Sequence, residues 1–276
     1  MSQYTVTVVG ATGKTGRHVA RYAAERGWRV RAAGRRVPEH GVLEPFDWDD
    51  ELTWASAFRG SDAAYVLIPF NHPGAPERTP ALLTAIAAAG VGRVVLLSSL
   101  DVTEAESDSP LRRAEDTLFG LPVATASLRP TWFMDNFTAG SFAGMVTAGE
   151  LRLPAGEGRI PFVDARDVAA VGVAALAADG PTGALPITGP VALTHHEVAE
   201  ALTEGLGRPV TYVPVPAAEF VDLMVGRGFT VDYGTFLAEA LDRVATGELK
   251  IPVYDTVLRS AGRSAYSAVE FARHHD

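Results

Sequence analysis

Gly10, Gly13 and Gly16 recur at three-residue intervals in Val8-Val9-Gly10-Ala11-Thr12-Gly13-Lys14-Thr15-Gly16. A β-branched run precedes them and an alanine-rich run follows, so they sit at a strand–turn–helix corner. Each glycine has its own use there. Gly10 permits the tight turn, Gly13 lets backbone amides approach a pyrophosphate, and Gly16 lets the helix pack closely on the sheet. The helix N-terminus adds partial positive charge. The segment from Gly10 through Ala11, Thr12, Gly13, Lys14 and Thr15 to Gly16 is therefore expected to hold a dinucleotide. A Walker A loop would need another glycine five residues before Gly13. Position 8 is Val8, so Gly13-Lys14-Thr15 does not read as the end of an ATPase loop.

The second strand decides between the nicotinamide cofactors. NAD-specific domains place an acid about 20 residues after the glycines. Here the strand ends in Gly34-Arg35-Arg36, and the first acid is Glu39. A carboxylate repels a 2′-phosphate, whereas a guanidinium grips it with two donors. NADPH is expected over NADH; two solvated loop arginines are the alternative.

Other chemistries lack their residues. Cysteine is absent, which removes disulfides, thiol nucleophiles and Cys-ligated metal. There is no HExxH helix, so no metal site is expected, and no Gly-x-Ser-x-Gly elbow. Lys and Arg number 24 against 33 Asp and Glu. An acidic chain without a basic run is a poor nonspecific partner for nucleic acid or an anionic membrane. The longest apolar run, 168–178, falls short of the roughly 20 residues of a membrane helix. The first ten residues lack a basic, apolar leader. A cytoplasmic monomer or homodimer acting on a small molecule is expected.

The elements that must position the glycines alternate. Strands are expected at 5–9, 29–33, 42–46, 63–68, 93–97 and 123–128. Helices are expected at 14–26, 51–58 and 77–89, and one opens at Ser109-Pro110. Strands without polar alternation, separated by helices, make a parallel sheet covered on both faces. The fold class expected is α/β, a Rossmann-type doubly wound parallel sheet with a smaller mixed, mostly helical C-terminal lobe. The sheet domain takes 1–150 and roughly 160–190, and a substrate lobe takes 151–276. Helix 167–178 and a strand near 185–188 follow. Thr194-x-x-Glu197 and Ser267-x-x-Glu270 are capping boxes. Asp164 is expected to cap the helix that carries Asp167. His195 and His196, being adjacent, are expected to point to different faces.

The chain resembles the NmrA-like group of atypical short-chain dehydrogenase/reductases, and within it the ergot-alkaloid-type branch. The resemblance rests on Gly10 to Gly16, Phe46-Asp47-Trp48, Leu96-Leu97-Ser98-Ser99, Leu128-Arg129-Pro130-Thr131-Trp132-Phe133-Met134-Asp135-Asn136-Phe137 and Phe162 to Val168. It implies an NADP(H)-dependent oxidoreductase. By position, Arg35 would meet the 2′-phosphate, and Phe46 and Asp47 would lie by the adenine. Ile68, Pro69, Phe70, Leu97 and Ser98 would lie along the ribose and nicotinamide. Residues 129–133, Pro130 among them, would cover the nicotinamide end.

One departure stands out. None of the seven tyrosines has a lysine four residues on, so the Tyr-x-x-x-Lys pair that protonates carbonyl substrates is missing. Its positions fall near Asp108 and Arg112, and arginine is no routine acid or base. Hydride transfer to a quinone, enone or iminium needs little proton assistance at that moment. Candidate groups for the reaction are Ser99, His72 and Arg112, each with a plainer alternative: a strand-end hydrogen bond, a turn, a solvated helix face. Asn71, Trp132, Phe133, Asn136 and Phe137 are expected to line an aromatic substrate pocket, unless the rings are core. The alternatives to an oxidoreductase are a non-catalytic NADP(H) sensor and an isomerising or coupling enzyme of secondary metabolism.

Overall fold

Apolar strands with no polar face fold where helices cover them on both sides. The structure, a computed structural model, describes residues 3–70 and 72–274. Asn71 lies outside the described residues. Seven strands form one sheet: β1 (Thr5–Val9), β2 (Arg29–Gly34), β3 (Val42–Pro45), β4 (Ala63–Leu67), β5 (Arg93–Leu97), β6 (Ala124–Pro130) and β8 (Gly183–Ile187); β7 belongs elsewhere. Their order is β3-β2-β1-β4-β5-β6-β8, and every neighbouring pair is parallel. Strand order reverses direction between β1 and β4. That switch point opens a crevice at the carboxyl ends of the strands. The architecture is the α/β, Rossmann-type sheet expected from the sequence.

Local sequence sets the helix starts. The expected helix from Lys14 begins later, as α1 (Gly16–Glu25), because the Gly13 amide first closes a turn onto the Gly10 carbonyl at 2.8 Å. The expected helix from Glu77 begins earlier, as α3 (Ala75–Ala88). Gly74 at φ +77° turns the chain, and Pro76 suits a first turn where the amide has no helical partner. Between them lies the short α2 (Trp54–Phe58), led by a single 3-10 turn. α4 (Pro110–Phe119) starts where expected, with Ser109 Oγ accepting from the Arg112 amide at 3.2 Å.

Two compact units result. The first runs to Pro130 and adds Ala165–Ile187 and Asp255–Ser264. It therefore includes the sheet, α1 to α4, α6 (Ala165–Leu176) and α10 (Thr256–Ala261). The chain leaves this unit at Pro130, not near residue 150, because β6 runs on past Leu128 and the segment after it packs with the second unit. Arg93, 7% exposed, donates to the carbonyls of Ala175, Ala178 and Gly180 and so closes the C-terminal end of α6.

The second unit comprises Thr131–Asp164, Thr188–Tyr254 and the residues from Ala265. A two-stranded parallel sheet, β7 (Glu150–Leu153) and β9 (Thr211–Pro214), packs with α5 (Ala143–Thr147), α7 (His195–Leu206), α8 (Ala217–Gly226), α9 (Val231–Ala245) and α11 (Ala268–Arg273). Both capping boxes are present, Thr194 with Glu197 and Ser267 with Glu270. Phe137, Phe142, Phe162 and Phe220 form its aromatic core. No helix among the described residues is long and apolar enough to cross a membrane.

Candidate functional site

A groove of about 360 Å³ opens at the switch point, within the first unit. Val9, Gly10, Ala11 and Thr12 form one wall, and Ala32 to Arg36 form the next. Phe46, Asp47 and Trp48 follow from the β3 end, then Leu67, Pro69 and His72 from the β4 end. Every one of these segments is the carboxyl end of a strand or the loop after it.

Glycine is required in the turn for measurable reasons. Gly10 has φ +72°, a conformation costly for residues with a Cβ. A Cβ on Gly16 would lie 2.1 Å from the Gly10 carbonyl oxygen, and one on Gly13 would lie 3.2 Å from it. The turn and the first turn of α1 are thus as close as backbone allows. Below the turn, the Tyr65 hydroxyl donates to Thr15 Oγ1 at 2.9 Å. Burial pushes the Tyr65 phenol above its ordinary pKa, so it stays a neutral donor there. Thr15 is therefore a buried brace of the turn, while Thr12 is exposed at its rim.

Arg35 and Arg36 are exposed at the β2 end and line the groove. Among the described residues, neither guanidinium has a hydrogen-bond or ion-pair partner. Two uncompensated cations on a groove wall suit an anion such as a 2′-phosphate. On the adjacent wall, Phe46 and Trp48 meet edge to face at 5.5 Å. The Asp47 backbone is fixed there, its amide donating to Thr53 Oγ1 at 3.0 Å and its carbonyl accepting from Trp54 Nε1 at 2.8 Å. Trp48 was legible only as part of the Phe46-Asp47-Trp48 string.

The remaining expected residues divide. Ile68 is buried, Pro69 half-buried and Phe70 exposed after β4. Leu97 is half-buried and Ser98 and Pro130 are buried, at the carboxyl ends of β5 and β6. Lys14 is half-buried beside the turn. Ser99 does not present a free hydroxyl. Its Oγ donates to Asp101 Oδ2 at 2.8 Å and accepts the Asp101 amide at 3.3 Å, which starts a 3-10 turn. Arg112 pairs with Asp116 at 3.4 Å along α4 and reaches the Val102 carbonyl. His72 faces Asp49 rather than open solvent, with Nε2 3.4 Å from Asp49 Oδ2.

In the second unit, Trp132, Phe133 and Asn136 are half-buried, but Phe137 is only 1% exposed. Phe142, Phe162 and the His195 ring cover it, so the surface expected to meet a substrate is taken by packing. His195 is fully buried and His196 is not, as two adjacent residues at a helix start require. Asp164 and Asp167 are both buried, and Asp167 Oδ1 accepts from Arg263 at 2.6 Å.

Sequence reading missed a buried polar cluster at the end of β6. The Glu115 carboxylate on α4, 2% exposed, accepts from Ser127 Oγ and from the Arg129 guanidinium. Burial pushes its pKa up, but these donors, with Ser98 nearby, outweigh burial and hold it below the ordinary carboxylate range. Ser98 Oγ itself makes no regular hydrogen bond.

Known proteins are similar to this chain over nearly its full length. The chain is 32% identical to an NAD(P)H azoreductase of Xenophilus azovorans over 98% of this chain and 97% of that one. An NADPH-dependent quinone oxidoreductase of Escherichia coli, solved with NADPH, superposes with a TM-score of 0.82 at 21% identity, covering 98% of this chain and 99% of that one. The triphenylmethane reductase of Citrobacter sp., solved with NADP(H), gives 0.81 at 19% identity, covering 99% and 100%. The NmrA-like family model matches residues 2–246, which take in the glycine turn, the groove and most of the second unit, so this chain belongs to the NmrA-like family.

Proposed function

We propose that the protein is an NADPH-dependent oxidoreductase that delivers hydride to a small conjugated acceptor, such as a quinone, an enone or an iminium. The observation that carries this reading is the groove at the switch point, with Gly10, Ala11 and Thr12 of the glycine turn on one side and the unpaired Arg35 and Arg36 on the other. That wall lies just ahead of the N-terminus of α1, which fits a pyrophosphate. The two cations fit a 2′-phosphate and favour NADPH over NADH.

Bound NADPH supplies the hydride, and the chain's task is to hold and orient it. Without a Tyr-x-x-x-Lys pair, no side chain in the usual place protonates a carbonyl oxygen during transfer. A conjugated acceptor spreads the incoming charge and takes its proton from water afterwards. The names of the three relatives support this class: azo compounds, quinones and triphenylmethane dyes are all extended conjugated systems. Ser98, which follows β5, is kept as a candidate contact to the nicotinamide side by its position at a strand's carboxyl end. Ser99 and Arg112, already engaged, are ranked below it. Trp132, Phe133 and Asn136, half-buried in the second unit, stay candidates for contact with a substrate.

The test follows loss of reduced-nicotinamide absorbance with NADPH and NADH in parallel, against quinones, enones, cyclic iminium compounds and azo dyes. Turnover with NADPH and little with NADH is expected. Tight NADPH binding with no turnover on any acceptor would overturn the catalytic reading in favour of cofactor sensing. Failure to bind either cofactor would overturn the reading of the groove.

A further inference from the structure

At the rim of the groove, Asp47, Asp49 and His72 bring one ligand atom each within 4.8 Å of one another. Asp47 and Asp49 come from the loop after β3, and His72 from the loop after β4. We propose that these three side chains form a site for a zinc-class divalent cation, and that its occupation competes with the nucleotide. Metal binding itself stands apart from the proposed function; the competition rests on that function's reading of the groove.

The outer atoms of each ligand are already tied, as they are in working metal sites. His72 Nδ1 lies 3.1 Å from the Pro73 carbonyl. A carbonyl only accepts, so a proton on Nδ1 serves this contact and leaves Nε2 as the ligand atom. Nε2 lies 3.4 Å from Asp49 Oδ2. The other oxygen of Asp49 accepts from the Arg78 guanidinium, which orients the carboxylate toward His72. Asp47 Oδ1 accepts the Asp49 amide at 3.0 Å, which fixes the third ligand.

The geometry suits the cation. Zinc–nitrogen and zinc–oxygen bonds of about 2.0–2.1 Å give a tetrahedron with edges of roughly 3.3–3.4 Å. The observed separation of 3.4 Å between Nε2 and Oδ2 is such an edge. One imidazole with two carboxylates selects zinc, nickel or copper over magnesium, which prefers oxygen and keeps its waters. Absence of cysteine and of an HExxH helix led to the expectation of no metal. The three ligands instead come from two loops 23 residues apart (72 − 49), a spacing that no helical motif carries.

Competition follows from position. Asp47 and His72 both line the groove, so an ion between them draws the two loops together across its rim. The adenosine end of a nucleotide would need the same carboxylate and the same space.

Isothermal titration of the intact chain with zinc chloride tests the site, with magnesium chloride in parallel. One zinc per chain and no magnesium binding are expected. His72→Ala and Asp49→Asn, both at exposed loops, should each weaken zinc binding at least about tenfold. His196→Ala, which removes an exposed imidazole beside Glu157 in the second unit, should not. No zinc binding, or binding that is indifferent to His72→Ala and Asp49→Asn, overturns the site. Saturating zinc should weaken NADPH binding at least tenfold in the wild type and not in His72→Ala. Zinc binding with unchanged NADPH affinity overturns the competition. A chain that binds zinc and never NADPH would instead sink the cofactor reading and leave the metal site standing.

Discussion

Arg129 lays its guanidinium along the Glu115 carboxylate, with Nε 3.0 Å from Oε1 and Nη2 donating to Oε2. The acid comes from α4 and the base from β6, so the pair ties a helix to a strand of the sheet. Glu115 is 2% exposed, and removing its partner would strand a buried charge. Arg129→Ala should therefore cost about 3–5 kcal/mol in urea unfolding. Replacing both residues by apolar ones of similar size should cost less than Arg129→Ala alone. Equal or additive losses would show that the pair is not coupled.

His195 predicts an acid limit to stability. Its ring is fully buried among Phe137, Phe162 and Tyr212, and neither nitrogen has a hydrogen-bond partner among the described residues. Burial, with a smaller contribution from the neighbouring His196, lowers its pKa from 6.5 to about 3. The unfolded chain therefore binds a proton below pH 6.5 that the folded chain refuses until about pH 3. Stability is fully present above that window and falls through it as pH drops. The loss at pH 4.5 should be about 2–3 kcal/mol relative to pH 7. Unfolding measured across this range should flatten in His195→Leu. An unchanged slope in the variant would assign the acid sensitivity to carboxylates.

What could be read from the sequence was what is local. The Gly10–Gly16 turn, the Ser109 cap and both capping boxes each lie within a few residues, and their physics closes inside that span. Arg35 and Arg36 were legible as groove residues because they follow β2 directly. The Glu115–Arg129 pair was not, since residues 14 apart on a helix and a strand meet only once the sheet has assembled (129 − 115). Asp49 and His72 were hidden for the same reason. Phe137 illustrates the opposite error. An aromatic residue in a family string reads as a pocket wall, yet only the packing of Phe142, Phe162 and His195 around it decides which face is left open.

Gly16 gives a sharp test of the turn. Its added Cβ would fall 2.1 Å from the Gly10 oxygen, and a backbone atom cannot swing aside as a side chain can. Gly16→Ala should cost about 1–3 kcal/mol through forced displacement of α1 from β1. It should also weaken NADPH binding at least tenfold, because the amides of the turn move with the helix. Gly226→Ala is the control, since a Cβ there would meet no atom within 4 Å and the residue lies away from the groove in α8. If both variants bind NADPH alike, the close approach of α1 to the turn has no part in holding the nucleotide.

The proposed preference for NADPH places cofactor choice on Arg35 and Arg36. Both line the groove, and neither is neutralised by an acid among the described residues. A hydrogen bond to a charged group contributes about 1.5–3 kcal/mol, so losing one such contact weakens binding roughly tenfold to a hundredfold. The double variant Arg35→Ala/Arg36→Ala should lose that much affinity for NADPH in calorimetry. Its affinity for NADH should hold, since NADH brings no 2′-phosphate to this wall. Arg35→Asp should go further and reverse the preference, because a carboxylate can accept from a ribose hydroxyl and repels the phosphate. Equal losses for both cofactors would mean that the arginines steer the shared pyrophosphate by long-range attraction. That effect would fade with added salt, whereas a direct grip on the 2′-phosphate would keep its discrimination.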